Sequence, residues 1–151
     1  MNRLKLVQRT RALTRDFSNS IFRETDIIDF INEGINRFIQ VLPELKNTPN
    51  LLVNEQEPKP IPEQYQHILA VYSASRCFSQ DERHYQATTL MNEFEVKLEE
   101  FKQAVLNGDI VLVDGDGNPI VNENSTVEYV DLSAYWKKTK TSDDFDRLGD
   151  L

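Results

Sequence analysis

An apolar stripe between Asp26 and Leu42 constrains the fold of this chain more than any other feature of its sequence. Thr25 is a suitable N-cap for a helix here, and Pro43 predicts its end because the residue before a proline disfavours helical geometry. A helix with so apolar a face is stable only when that face packs against other elements. The stripe has the three-to-four-residue spacing of one helix face: Ile27, Ile28, Ile31, Ile35, Phe38, Ile39 and Leu42.

Residues 2–15 have a weaker helical pattern, in which Leu4, Val7 and Leu13 share one side. A proline-rich connection then runs from Pro43 to Pro62, and a connection of this length is usually functional or mobile. Leu51, Leu52 and Val53 give it apolar side chains that can pack, so we expect an extended segment that lies along the domain or along a neighbouring copy.

A third helix is predicted from Pro62, which suits a first helical position. The sequence Ser79-Gln80-Asp81-Glu82 has the form of a capping box, so it predicts a break near residues 78–80 and a new helix after it. Asn107-Gly108 ends that fourth helix. The predicted core positions are Tyr65, Ile68, Leu69, Tyr72 and either Cys77 or Arg76 in the third helix, and Ala87, Met91 or Leu90, Phe94, Leu98, Phe101 and Val105 in the fourth.

After Gly108 the apolar pattern changes. Ile110–Val113 and Ile120-Val121 flank a loop rich in glycine and aspartate, which predicts a β-hairpin. The chain from Asn122 onward is polar with scattered large apolar residues, a composition typical of a segment that orders on a partner. The sequence thus predicts a mainly α fold: a four-helix bundle over residues 1–108, a small hairpin over 109–121 and an extended C-terminal arm over 122–151.

Charge is distributed unevenly along the chain. There are 17 basic and 25 acidic residues, a net charge of −8. Residues 1–23 contain six basic residues and one acid, so the first 23 residues carry +5 and the other 128 carry −13. Opposite charge on separate parts of a small protein favours head-to-tail contact between copies. A solvated basic helix face and a nucleic-acid-binding segment are the alternatives, although the negative net charge opposes phosphate binding.

Catalytic and metal-binding patterns are weak. Asp114-x-Asp116-x-Asn118 imitates the start of a calcium-binding loop, but Pro119 and Ser125 occupy the positions that require glycine and glutamate. The two histidines, His67 and His84, and the single cysteine, Cys77, match no nucleophile or zinc motif. We therefore expect neither an enzyme nor a cofactor, and the short apolar runs predict no membrane span or signal peptide.

The arm contains Tyr135-Trp136-Lys137-Lys138, which interleaves aromatic and positive side chains as single-strand nucleic-acid grooves do. Asp143, Asp144 and Asp146 follow closely and would repel a phosphate backbone. Docking on a protein is therefore the preferred interpretation of the arm.

The order of these segments resembles the head–tail connector, or adaptor, proteins of tailed bacteriophages. The resemblance covers residues 1 to about 121. It depends on the stretch 31–36 (Ile-Asn-Glu-Gly-Ile-Asn), the proline-rich connection, the stretch 72–76 (Tyr-Ser-Ala-Ser-Arg), the acidic turn 80–82 and the long amphipathic helix to Leu106. These features are matched by order and spacing, and none is an invariant chemical motif.

This resemblance implies a structural virion protein, made in the host cytoplasm, that acts at the head–tail interface. It implies a homo-oligomeric ring, a dodecamer, beneath the portal protein, which extends the DNA channel and provides a platform for the next tail or stopper protein. Genomic DNA would pass through the lumen without sequence-specific contact. A small helical phage-encoded module that binds protein or nucleic acid is the alternative.

Two sets of residues are candidates for these contacts. The first is a subunit interface formed by basic residues of the N-terminal segment: Arg9, Arg11 and Arg15. The second is a portal-docking arm, placed by position along the resemblance: Val127, Tyr129, Leu132, Tyr135, Trp136 and Phe145. The alternation of Val127 and Tyr129 suits addition of a strand to a partner's sheet edge.

Overall fold

Four α-helices make up most of the described structure, which is a computed structural model covering residues 1–51, 57–114 and 116–120. The prediction of a mainly helical chain with four helices is confirmed. All of these residues belong to one unit, Met1–Ile120. The helices are α1 (Arg3–Thr14), α2 (Glu24–Val41), α3 (Glu63–Gln80) and α4 (His84–Leu106), with a 3₁₀ turn at Pro43–Leu45.

Helix α3 is the central element. It packs against α1, α2 and α4, and its middle is buried on nearly every side. The reason lies in its small residues, since Ala70, Ser73, Ala74 and Ser75 let neighbouring helices approach closely. Gly34 of α2 is the matching small residue, because a Cβ there would lie 3.3 Å from Leu69.

Aromatic rings fill the space between α2, α3 and α4. Phe38 contacts Phe94 edge-on with centroids 6.1 Å apart, and it contacts Phe101 at 5.3 Å. Tyr65 and Tyr72 of α3 meet Phe101 and Phe94 at 4.8 and 4.9 Å. The predicted core positions of α4 are confirmed as buried, except that Leu90 and Met91 are both half-buried.

The helices alternate in direction along the chain. The N-terminus of α1 reaches Gln66 near the start of α3, whereas its C-terminus leads into a loop beside Gln80 and Asp81 at the end of α3. Helix α2 begins at that same end, and its residue Phe38 meets Phe101 near the end of α4. We call the end with the loop after α1 the loop end, and the opposite end the tail end.

The buried face of α1 differs from the predicted one. Leu4 is exposed, and the buried residues are Leu6, Val7, Thr10 and Thr14. Two core positions are threonines whose hydroxyls donate to the carbonyl oxygens of Leu6 and Thr10, at 2.9 and 3.0 Å. A buried threonine satisfied by its own helix is invisible to an apolar pattern, and this explains the wrong assignment of Leu4.

Two predicted helix starts are also wrong. Helix α2 is capped by Arg23 in an extended conformation, so Thr25 lies within the first turn and is exposed. The predicted capping box at Ser79 does not start α4, because Ser79 belongs to the last turn of α3 and the break falls at residues 81–83. The C-terminal signal of Gly108 is confirmed: it adopts a positive φ of 82° directly after α4.

The described part of the predicted hairpin contains one antiparallel bridge, between Val113 and Pro119. The Ile120 amide donates to Leu112 at 2.7 Å, and Leu112 is buried against the helical core. Pro119 has no amide to extend a ladder, and residues 109–114 and 116–120 form no strand. The complete hairpin stays a prediction, since residue 121 lies outside the described residues. None of the described helices combines the length and apolarity needed to cross a membrane.

Candidate subunit interface

The exposed face of α1 is basic. Lys5, Arg9 and Arg15 are all exposed, and Ala12 lies among them. Within the described residues neither Arg9 nor Arg15 forms an ion pair. Their role in a subunit interface stays a prediction, but both side chains are placed where a second molecule can reach them.

Arg11 has a different position from the other two predicted interface residues. Its side chain is only 11% exposed, and its Nη1 lies 2.6 Å from Oδ2 of Asp16. The same nitrogen donates to the carbonyl oxygen of Phe22 at 3.0 Å. Arg11 therefore braces the loop that follows α1, and its charge is already used inside the molecule.

Asp16 organises that loop. Its carboxylate accepts hydrogen bonds from the backbone amides of Ser20 at 3.0 Å, Ile21 at 3.2 Å and Phe22 at 3.1 Å. The carboxylate is completely buried, and burial by itself would raise the pKa of Asp16. The three amides, with the Arg11 guanidinium, outweigh that effect and hold the pKa below its ordinary value. The loop is thus a fixed structure around a buried anion.

The fixed loop presents two large apolar side chains to solvent. Phe17 is 76% exposed and Ile21 is 56% exposed. Arg15 precedes them and Arg23 follows, and both arginines are exposed. Sequence reasoning missed this feature because no periodic pattern covers the loop. The available signal was a single acidic residue, Asp16, within an otherwise basic segment.

The outer face of α4 is acidic. Glu93, Glu95, Glu99 and Glu100 are all exposed. Glu95 pairs with Arg37 at 2.7 Å and Glu100 with Lys97 at 3.2 Å, whereas Glu93 and Glu99 have no cationic partner among the described residues. Val96 lies among these acids and is 58% exposed.

A shallow groove follows this face near the tail end. Val96 and the half-buried Ala104 contribute its apolar lining, and Glu99, Glu100 and Asp109 contribute carboxylates. Gln103 donates to Glu99 at 3.0 Å and keeps that carboxylate directed along the helix. The helix therefore combines an apolar depression with a negative rim.

The basic and acidic faces belong to different helices that both pack on α3. The basic loop lies at the loop end, whereas the acidic groove covers the second half of α4 and the residues after it, from Val96 to Asp109. One molecule thus carries a basic surface and an acidic surface on different helices.

The residues considered for catalysis do not lie together in one site. Cys77 is fully buried on α3, where burial raises its pKa to about 12, while His84 is exposed at the start of α4. The carboxylate of Asp114 accepts hydrogen bonds from the amides of Asp116 and Asn118, both at 2.9 Å, so it stabilises a turn. In residues 1–51, 57–114 and 116–120, no group of three acidic, histidine or cysteine side chains could hold a metal ion.

The six residues predicted to form the portal-docking arm lie outside the described residues: Val127, Tyr129, Leu132, Tyr135, Trp136 and Phe145. Their role stays a prediction.

No protein-family model, curated protein or solved structure matches the chain.

Proposed function

We propose that this chain is a structural subunit of a tailed-bacteriophage virion, an adaptor between head and tail. In this proposal, copies associate side by side into a ring of twelve beneath the portal protein. The ring extends the DNA channel and offers its lower surface to the next tail or stopper protein. It has no enzymatic step and needs no cofactor.

The observation that supports the proposal is the separation of unpaired charge. The arginines Arg9, Arg15 and Arg23 have no ion pair in the described structure, and Glu93 and Glu99 are equally unpaired on another helix. Charges that are not matched within one molecule can be matched between two. Because the two surfaces differ, the contact is heterologous, and a heterologous contact closes into a ring when the rotation permits.

The remaining parts of the proposed architecture extend the helical unit. A hairpin over residues 109–121 rests on the core through Leu112, which is buried. An extended arm over residues 122–151 grips the portal through its scattered aromatic residues. A bundle with two such extensions suits a subunit of a ring, since each extension offers surface to a different partner.

The negative net charge agrees with a DNA channel. A chain of charge −8 repels the phosphate backbone, so a ring built from it would not retain the passing duplex. The exposed arginines would then contact neighbouring subunits, whose acidic faces neutralise the positive charge.

Native mass spectrometry of the full chain mixed with the portal protein from the same phage tests this proposal. We expect the portal ring to gain twelve copies of the chain, and a chain lacking residues 123–151 to stay folded but add no mass. A portal ring whose mass is unchanged by the folded full chain would contradict the proposal. Tight DNA binding with a steep salt dependence would instead support the nucleic-acid-binding alternative.

A further inference from the structure

The loop after α1 is the most unusual surface of the described structure. Phe17, which is 76% exposed, lies on this loop. The buried Asp16 carboxylate holds the loop by accepting hydrogen bonds from three backbone amides and from the Arg11 guanidinium. A loop whose backbone is held in this way loses little backbone entropy on binding. Large apolar side chains rimmed by polar residues also mark contact sites.

We propose that Phe17 and Ile21 of one copy insert into the α4 groove of the next copy, so that this loop determines the subunit contact. The inference rests on the proposed function, because it names the surfaces through which the adaptor subunits join. We call Phe17 and Ile21 the apolar knob, and the depression over Val96 and Ala104 the α4 groove.

The two surfaces are complementary in apolar character. The apolar knob consists of two side chains that are more than half exposed. The α4 groove has an apolar lining from Val96 and from Ala104, whose small side chain leaves room for a larger one. Burial of an exposed phenylalanine favours association, because apolar surface is removed from water. Aromatic side chains in such pockets dominate the energy of many interfaces.

The two surfaces are also complementary in charge. Arg15 and Arg23 flank the apolar knob, and Glu99 and Asp109 border the α4 groove. The positive rim would repel a second copy of itself, and the acidic groove would repel another groove. A symmetric contact of either surface with itself is therefore disfavoured, and the unlike pairing is selected.

A second copy is the occupant that the geometry selects. The apolar knob lies at the loop end and the α4 groove near the tail end, so the two cannot meet within one molecule. Each copy offers both surfaces, and neither surface pairs with itself. The resulting contact is head-to-tail and can be repeated around a closed ring.

Two variants, each with one new surface cysteine, test this pairing. Phe17→Cys and Val96→Cys are prepared separately in the full chain, in which Cys77 is buried. The two variants are mixed under mild oxidation. We expect mixed disulfide dimers to exceed either homodimer by roughly tenfold, because only the unlike surfaces approach each other.

The matched control replaces Val96→Cys by Tyr85→Cys. Tyr85 is on the same helix and is 82% exposed, but it lies at the loop end, away from the α4 groove. The Phe17→Cys and Tyr85→Cys mixture should give only background mixed dimers. Equal yields in the two mixtures, or a predominance of Phe17→Cys homodimers, would overturn the inference.

The portal experiment separates this inference from the proposed function. If the wild-type chain adds to the portal in multiple copies but the cysteine mixtures show no preference, the adaptor function stands and this pairing is wrong. If the preferred disulfide forms but the portal gains no mass, the pairing stands and the adaptor function is wrong.

Discussion

Asp16 is the residue on which the loop end of the molecule most depends. Its carboxylate is buried, yet it is surrounded by three backbone amides and the Arg11 guanidinium. Breaking a buried ion pair by removal of one partner is strongly destabilising, because the other charge stays buried and uncompensated. We expect Phe17 and Ile21 to keep their exposed positions only while these contacts of Asp16 are intact.

The substitution Asp16→Asn should reduce the free energy of unfolding at neutral pH by about 2–4 kcal/mol. The measurement is urea unfolding followed by circular dichroism. Asp29→Asn is the control, because Asp29 is exposed on α2 and should change stability by less than about 0.5 kcal/mol. Equal effects of the two substitutions would contradict the assigned role of Asp16.

The same carboxylate predicts a pH dependence. The folded pKa of Asp16 lies below its unfolded value, so its contribution to stability is present above the unfolded pKa of roughly 4 and is lost as the pH falls through the folded pKa. The stability difference between wild type and Asp16→Asn should therefore shrink in acid. A difference that stays constant from pH 7 to pH 3 would exclude this linkage.

Cys77 should be inert in the folded chain. Complete burial, with a pKa raised to about 12, leaves almost no accessible thiolate at pH 8. A thiol reagent should label less than one tenth of the protein before denaturant is added, and all of it afterwards. Rapid labelling of the native protein would show that α3 is not closed around this position.

At this scale, sequence reasoning succeeded where apolar periodicity was the signal. It predicted the buried faces of α2 and α4 nearly residue by residue. It could not predict that Arg11 turns inward, because that depends on a buried acid five residues later and on the backbone of the loop. It also placed Leu4 in the core, where threonines with satisfied hydroxyls are found instead.

Helix ends are the element-scale feature that the sequence predicted least well. After α3, the Arg83 amide donates to Phe78 at 2.8 Å and the Glu82 amide to Ser79 at 3.2 Å, which are the hydrogen bonds of a Schellman motif. Glu82 adopts a φ of 60°, which normally favours glycine. The capping-box pattern at Ser79 therefore coincides with the end of a helix rather than the start of one.

This geometry makes Glu82→Gly a stabilising substitution. Glycine enters the left-handed region without the steric cost of a Cβ, so we expect an increase of about 0.5–1 kcal/mol in the free energy of unfolding. Glu82→Ala is the control and should show no such gain. Thermal unfolding of both variants measures the effect, and a lower midpoint for Glu82→Gly than for Glu82→Ala would refute the assigned conformation.

At the scale of the whole molecule, the uneven distribution of charge bears on how one chain meets another. The sequence alone indicated a +5 segment within an acidic chain and suggested head-to-tail association. It could not show which arginines stay exposed, or that Phe17 and Ile21 are exposed between Arg15 and Arg23. A loop held by a buried carboxylate has no periodic apolar pattern from which its structure can be predicted.

A charge exchange between the two faces tests whether they join the subunits. One variant carries Arg9→Glu and Arg15→Glu, a second carries Glu99→Lys and Asp109→Lys, and a third carries all four substitutions. Self-association of each is measured by sedimentation at low salt, where exposed charges are least screened. Each two-site variant should associate at least roughly tenfold more weakly than wild type, and the four-site variant should recover most of that loss. Two-site variants that associate as strongly as wild type would contradict the claim that these opposed faces join the subunits.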